Sequence, residues 1–317
     1  MPIDISAHSA QRQASREPRP LPCGGPSALT LAALTLSAYL LCALTHPSTA
    51  RAQDAPTERL TPPLSRTFSA GELTVSGLSV VGLLTLSLFG EEWIGPTAPS
   101  MGPPAEGSTD ARLSRWSSPQ FDPSAQWLGG VPDLMGYAAP ALALTYYVGG
   151  AALSQLAGVG DARPHEALAF SEGLSWAMFG TTLLKHLVGR ERPYVVRAQR
   201  GELPLESVNM SASERLISFP SGHSTAIAAT TFFVAADMSD ALVTGPLRGA
   251  HPATRALVGR ALPYLMAGAT SWLVMYSRIK DQRHWLSDTL TGAAIGALSA
   301  LLSYHMHFDA QGEPYQR

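Results

Sequence analysis

Cysteine is nearly absent from this 317-residue chain, which has only Cys23 and Cys42. Both lie in a leading segment that reads as an export signal. The mature chain is therefore expected to hold no disulfide and to do no thiolate chemistry. Charge is scarce as well: Asp, Glu, Lys and Arg make up 15% of residues, with a formal net charge of −2. That balance argues against a sequence-independent grip on nucleic acid. No Cys/His spacing of the zinc type, no heptad and no longer internal repeat appears. Strict apolar/polar alternation is missing too, so few or no strands are expected.

What is present begins with the leader. Arg12, Arg16 and Arg19 precede an apolar run over 28–44, and "STARAQDAP" follows. In it Ala50 and Ala52 make an A-x-A site before Gln53, the pattern of a cleaved signal peptide. The expected organisation is a signal over 1–52, a polar leader over 53–72, a first apolar helix with a Gly- and Pro-rich linker over 73–133, a catalytic helical core over 134–307, and a tail over 308–317. Apolar helix candidates fall at 73–89, 134–156, 166–188, 222–242, 260–277 and 287–306, with a short helix near 112–117. The fold class is all-α, a bundle of about six helices.

Two solvents suit such helices. They are rich in Ala, Gly, Ser and Thr, which lets helices pack closely in water or in lipid. Their apolar runs are near the roughly 20 residues needed to span a bilayer, yet the mean hydropathy is only +0.07. The stretch 244–260 holds Arg248, Arg255 and Arg260 and no acid, which places it on the cytoplasmic side if the bundle spans. A cleaved export signal conflicts with that placement when six helices span. The expected location is the cell envelope, exported and periplasm-facing. The parity favours a periplasmic helical domain that touches the membrane, and a bundle integral to the inner membrane is the alternative. Nothing specifies an oligomeric state.

Three polar clusters interrupt the apolar segments. In "KHLVGRERPY", Lys185 and Arg192 are seven residues apart, the spacing of one helix face two turns on, and Pro193 stops the helix. Alone, this is equally a basic helix end that complements the macrodipole. In "FPSGHS", Ser221 reads as an N-cap and Gly222 as relief of backbone strain, or both form an anion-binding helix N-terminus with His223 as a proton donor beside it. In "SRIKDQRHWLSD", His284 and Asp288 stand at i and i+4, where a carboxylate orients an imidazole, or where a surface pair contributes little. Alternating helix directions bring the three clusters to one end of the bundle. Lys185, Arg192, Arg278, Ser221 and Gly222 then form a cationic cradle for a tetrahedral dianion, beside two imidazoles. No ligand set for a catalytic metal is visible. The H-x-H of His305 and His307 reads as a helix terminus, and His165 and His251 read as loop residues.

Together the motifs resemble the type 2 phosphatidic acid phosphatase (PAP2) and vanadium haloperoxidase superfamily, whose signature is K-x6-R-P, then P-S-G-H, then S-R-x5-H-x3-D. Every position is matched here, by Lys185, Arg192-Pro193, Pro220 to His223, Ser277-Arg278, His284 and Asp288. The resemblance implies a metal-independent phosphatase acting on phosphomonoesters or diphosphates, with lipid phosphates or soluble esters as substrates. It implies His284 as nucleophile, His223 as acid, Asp288 as the group orienting His284, and Lys185, Arg192, Ser221, Gly222 and Arg278 as phosphate ligands. No cofactor is expected. Vanadate would enter only under the alternative of a haloperoxidase, against which no further histidine stands near His223. A non-catalytic phosphate binder is a third reading, disfavoured by the intact motif.

Overall fold

The computed structural model describes residues 68–94, 100–118, 127–156, 163–203 and 212–315. The expected signal segment, and the leader up to residue 67, lie outside the described residues. Among the described residues the chain forms helices and isolated bridges but no strand. All six long apolar helices expected from the sequence are present. They are α1 (Ala70–Ile94), α3 (Val131–Leu156), α4 (Arg163–Val188), α7 (Gly222–Thr244), α8 (Leu262–Lys280) and α9 (Leu286–His307). Three short helices sit between them: α2 (Thr109–Ser117), α5 (Pro193–Gln199) and α6 (Ala212–Leu216). Helical turns over 252–261 lead into α8.

Helix α7 is the centre of the bundle. It packs against α9, α8, α3 and α4, and its apolar and small side chains are buried on nearly every side. A helix that is apolar all round finds its place inside other helices or inside lipid. Its closest neighbour is α9, and two glycines explain the approach. A β-carbon at Gly292 would fall 2.4 Å from the Ser221 carbonyl oxygen, and one at Gly296 would fall 2.2 Å from that of Thr225. The G-x3-G stripe of α9 therefore presses directly on the α7 backbone. On the other side of α9, Gly173 of α4 meets Ser299, Ala300 and Ser303 in the same way. A buried aromatic group of Tyr147, Phe170, Phe233 and Tyr304 fills the middle by edge-to-face and tilted contacts.

The exterior is also apolar. Leu78, Leu84 and Leu88 of α1, Leu153 and Leu156 of α3, Leu265 of α8, and Leu298 and Leu302 of α9 are all exposed. Among the described residues three helices are long and apolar enough to cross a membrane: 70–88 within α1, then α7 and α9. Only 6% of the α1 window is buried within the bundle, against 78% for α7. An apolar helix that leaves most of its surface outside the protein suits lipid. Membrane association follows from this exterior, and the exterior sides with the membrane reading of the sequence over a bundle surrounded by water.

At the end of the bundle where α9 terminates, the structure revises the histidines. His165 is not a loop residue: it lies in the first turn of α4 and is buried. His307 is fully buried, stacked on Phe68 at 4.0 Å, with Nε2 2.6 Å from Glu172 Oε2. The other oxygen of Glu172 accepts from Ser76 of α1 at 2.9 Å, which ties the outer helix to the core. His251 is exposed and caps the turn Pro252–Thr254.

Candidate active site

The three polar clusters do come to one end of the bundle. Lys185 ends α4, Ser221 caps α7, Arg278 ends α8, and Asp288 begins α9. The contacts are direct. The Ser221 N–H donates to the Asp288 carbonyl at 3.0 Å, and Thr181 and Thr225 join α4 to α7 at 2.9 Å. Lys185 Nζ lies 3.5 Å from where a β-carbon would stand on Gly222, so glycine there keeps the helix N-terminus open beside the ammonium group.

Ser221 is the N-cap that the sequence suggested. It is fully buried and its Oγ accepts from Ser224 N at 3.4 Å as an N-cap, at the head of the helix that carries His223. His223 stands in the first turn with its ring 4.4 Å from that of Tyr137, edge to face. Its Nε2 is buried with no hydrogen-bond partner among the described residues. A β-carbon on Gly136 would come within 2.6 Å of the His223 ring, so the glycine makes room for the imidazole. Neither Gly136 nor Tyr137 was legible in the sequence, where α3 carries no motif.

Two spacings work differently from the helix-face argument. Lys185 and Arg192 do not share a helix. Helix α4 ends at Val188, Gly189 turns the chain at φ +56, and Arg192 is the N-cap residue of α5. Its Nε donates to the Glu214 carbonyl at 2.8 Å and its Nη1 to that of Arg283 at 3.3 Å, which fixes the guanidinium from both sides. His284 likewise precedes α9, because Trp285 is the cap and Asp288 sits at the third helical position. Gly189 and Pro193 break the first helix that simple periodicity would run through, and the left-handed Gln282 at φ +54 breaks the second.

His284 is buried, and its Nδ1 lies 2.6 Å from the Ser218 carbonyl but 3.7 Å from Asp288 Oδ2. A carbonyl only accepts, so Nδ1 carries the proton. Burial, followed by the charges of Arg192, Arg278, Lys185 and His223, holds the His284 pKa well below the ordinary imidazole range. The ring is therefore neutral, and its lone pair is on Nε2. Asp288 reaches the ring indirectly. Its Oδ2 accepts from Ser218 Oγ at 2.5 Å and from Trp285 N at 2.9 Å, and its Oδ1 from Arg190 at 2.5 Å.

Arg278 is buried and paired with Asp133 at the start of α3. Arg190 was not picked out of "GRERP", because what distinguishes it from its neighbours is a set of partners about a hundred residues away. All the residues expected at the site are thus gathered, and Arg190, Ser218, Asp133, Gly136 and Tyr137 join them.

The chain is similar to known phosphatase-related proteins. Residues 166–311 match the family model described as the PAP2 superfamily. A PA-phosphatase related-family protein of Dictyostelium discoideum is 31% identical over 147 residues, 46% of this chain and 50% of that relative. The chain thus spans about half the length of the curated relative it matches. A crystal structure of a transmembrane PAP2 type phosphatidylglycerolphosphate phosphatase from Bacillus subtilis is 21% identical and aligns over 73% of this chain and 93% of that one, with a TM-score of 0.41. The whole signature, from Lys185 to Asp288, lies inside the segment 166–311 that matches the PAP2 superfamily model.

Proposed function

We propose that the protein is a PAP2-type phosphatase that hydrolyses a lipid phosphomonoester or diphosphate at the cell envelope, through a phosphohistidine and without a metal. The observation that carries this reading is His284: a buried, neutral imidazole whose Nδ1 proton is committed to the Ser218 carbonyl, so that Nε2 is the nucleophilic nitrogen.

The chemistry follows from the surrounding groups. Nε2 of His284 forms a bond to phosphorus as the bond from phosphorus to the leaving oxygen breaks. His223, protonated as the charge of the bound phosphoryl group offsets the nearby cations, gives its proton to that oxygen. Water then attacks the phosphohistidine, the N–P bond breaks, and the water proton returns to His223. Lys185, Arg192 and Arg278, together with the α7 N-terminus at Ser221 and Gly222, hold the phosphoryl oxygens and offset the charge that grows on them. Arg278 shares its charge between Asp133 and the phosphate. An apolar tail on the substrate fits the exterior next to His223, where Leu134 and Tyr137 of α3 are exposed. Phosphatidic acid and polyprenyl diphosphates have this chemistry, and soluble esters are the broader alternative.

The test is a panel of phosphatidic acid, a polyprenyl diphosphate and p-nitrophenyl phosphate on purified protein, with and without chelator. Turnover that favours the lipids and survives chelation is expected. Turnover lost on chelation, or retained in His284→Ala, overturns the mechanism. Bromide oxidation by peroxide in vanadate-loaded protein would point to a haloperoxidase instead.

A further inference from the structure

Helix α2 lies in the linker that precedes the PAP2 segment, outside residues 166–311. It nevertheless touches the loop that carries His284 at several points. Ser114 Oγ donates to Gln282 Oε1 at 2.8 Å, and Gln282 Nε2 donates back to the Ser114 carbonyl at 2.9 Å. Gln282 is fully buried and has a left-handed backbone, φ +54, a conformation that a non-glycine residue holds only when its surroundings impose it. Lys280 reaches the Ser117 carbonyl, and Ser118 reaches the Lys280 carbonyl.

The other point of contact is charged. Asp110, in the first turn of α2, accepts from Ser287 N at 2.8 Å through Oδ1 and from Ser287 Oγ at 2.5 Å through Oδ2. The same Oδ2 accepts from Arg190 Nη2 at 3.1 Å. Arg190 Nη1 donates to Ser287 Oγ at 2.7 Å and to Asp288 Oδ1 at 2.5 Å. The guanidinium, also 5.7 Å over the Trp285 ring, thus lies between two carboxylates. The backbone of Arg190 is held as well, since its carbonyl accepts from Ser218 N at 3.0 Å.

We infer that Asp110 is a positioning residue for His284, acting through Arg190, Asp288 and Ser218. The inference rests on the reading of His284 as nucleophile. Its physical basis is a buried arginine whose charge is divided between two acids. With Asp110 present, one face of the guanidinium is engaged by α2 and the other by Asp288. With Asp110 neutral, Asp288 is the one acid left to the guanidinium among the partners named above, beside the Ser287 hydroxyl, and the pair shifts against Ser218. The Ser218 carbonyl that sets the imidazole proton then moves with it. The linker helix thereby becomes part of the site without touching substrate.

The experiment compares the full chain with Asp110→Asn, Asp110→Glu, Arg190→Gln and the Asp110→Asn/Arg190→Gln double variant. Asp110→Asn should lower kcat about 10- to 100-fold, as displaced supporting groups commonly do, with KM and vanadate inhibition unchanged. Asp110→Glu should recover part of the rate. The double variant should be no slower than Arg190→Gln alone, the sign of a shared pathway. A second measurement does not depend on turnover. The Nδ1–H nitrogen resonance of His284, assigned by its loss in His284→Asn, should shift in Asp110→Asn. Wild-type protein inactive on every phosphate ester, with that resonance still shifted, would remove the proposed activity and leave the positioning role standing. Wild-type kcat in Asp110→Asn, an unmoved resonance, or equal losses in kcat and vanadate binding would overturn it.

Discussion

The carbonyl oxygen of Ser221 and the α-carbon of Gly292 are so close that a β-carbon on the glycine would stand 2.4 Å from the oxygen. One residue caps the helix that carries His223, and the other lies one turn beyond Asp288 on the neighbouring helix. Backbone contact between α7 and α9 therefore sets the separation of the two imidazole-bearing segments. A side chain at Gly292 has to part them.

Gly292→Ala should cost about 1–3 kcal/mol, the usual range for overpacking a tight interior. Thermal unfolding in detergent measures it directly. Because the same contact registers the site, kcat should fall in the molecules that remain folded. An unchanged midpoint would mean that α9 can move aside freely.

Gly136→Ala tests the seat of His223. The added carbon would lie 2.6 Å from the imidazole, so the ring must turn away from its contact with Tyr137. Esters with poor leaving groups need the proton most and should slow about 100-fold or more, while p-nitrophenyl phosphate is nearly spared. A uniform loss across leaving groups would show that the glycine serves packing only.

The pH dependence follows from His284. Its folded-state pKa lies below the unfolded value of about 6.5. The nucleophile stays neutral as pH falls through that value, so the acid limb of kcat/KM that it controls should lie on the acid side of about 6.5. For stability, an imidazole that resists protonation in the folded state contributes in full above the unfolded pKa. The contribution is lost as pH falls toward the folded pKa, because the unfolded chain takes up the proton first. His284→Gln should flatten that part of the stability profile. A profile identical to wild type would count against the neutral assignment.

At the far end of α9, His307→Ala should leave the Glu172 carboxylate buried with one partner fewer. A cost of about 1–3 kcal/mol is expected, read as a lower thermal midpoint. A 22-residue helix separates this pair from the site, about 30 Å at the usual rise. Per folded molecule, kcat on p-nitrophenyl phosphate should then be unchanged.

The sequence by itself determined the helices and the chemical inventory. Long apolar runs bounded by glycine, proline and charge specify α1, α3, α4, α7, α8 and α9 within a few residues, because helix formation and termination are local. The order of Lys185, Arg192, Ser221 to His223, Arg278, His284 and Asp288 named the residues that meet, and alternating helix direction brought them to one end. What only the tertiary structure decided is how they are held. Asp288 is closest in spacing to His284, yet the Ser218 carbonyl takes the imidazole proton, and the carboxylate answers to Arg190 and, through it, to Asp110. Those links span 66 to 98 residues of chain. They depend on buried hydrogen-bond directions that no periodicity encodes. The same holds for Gly136 and Gly292, whose importance lies in the atom that a side chain would strike, and that atom belongs to another helix.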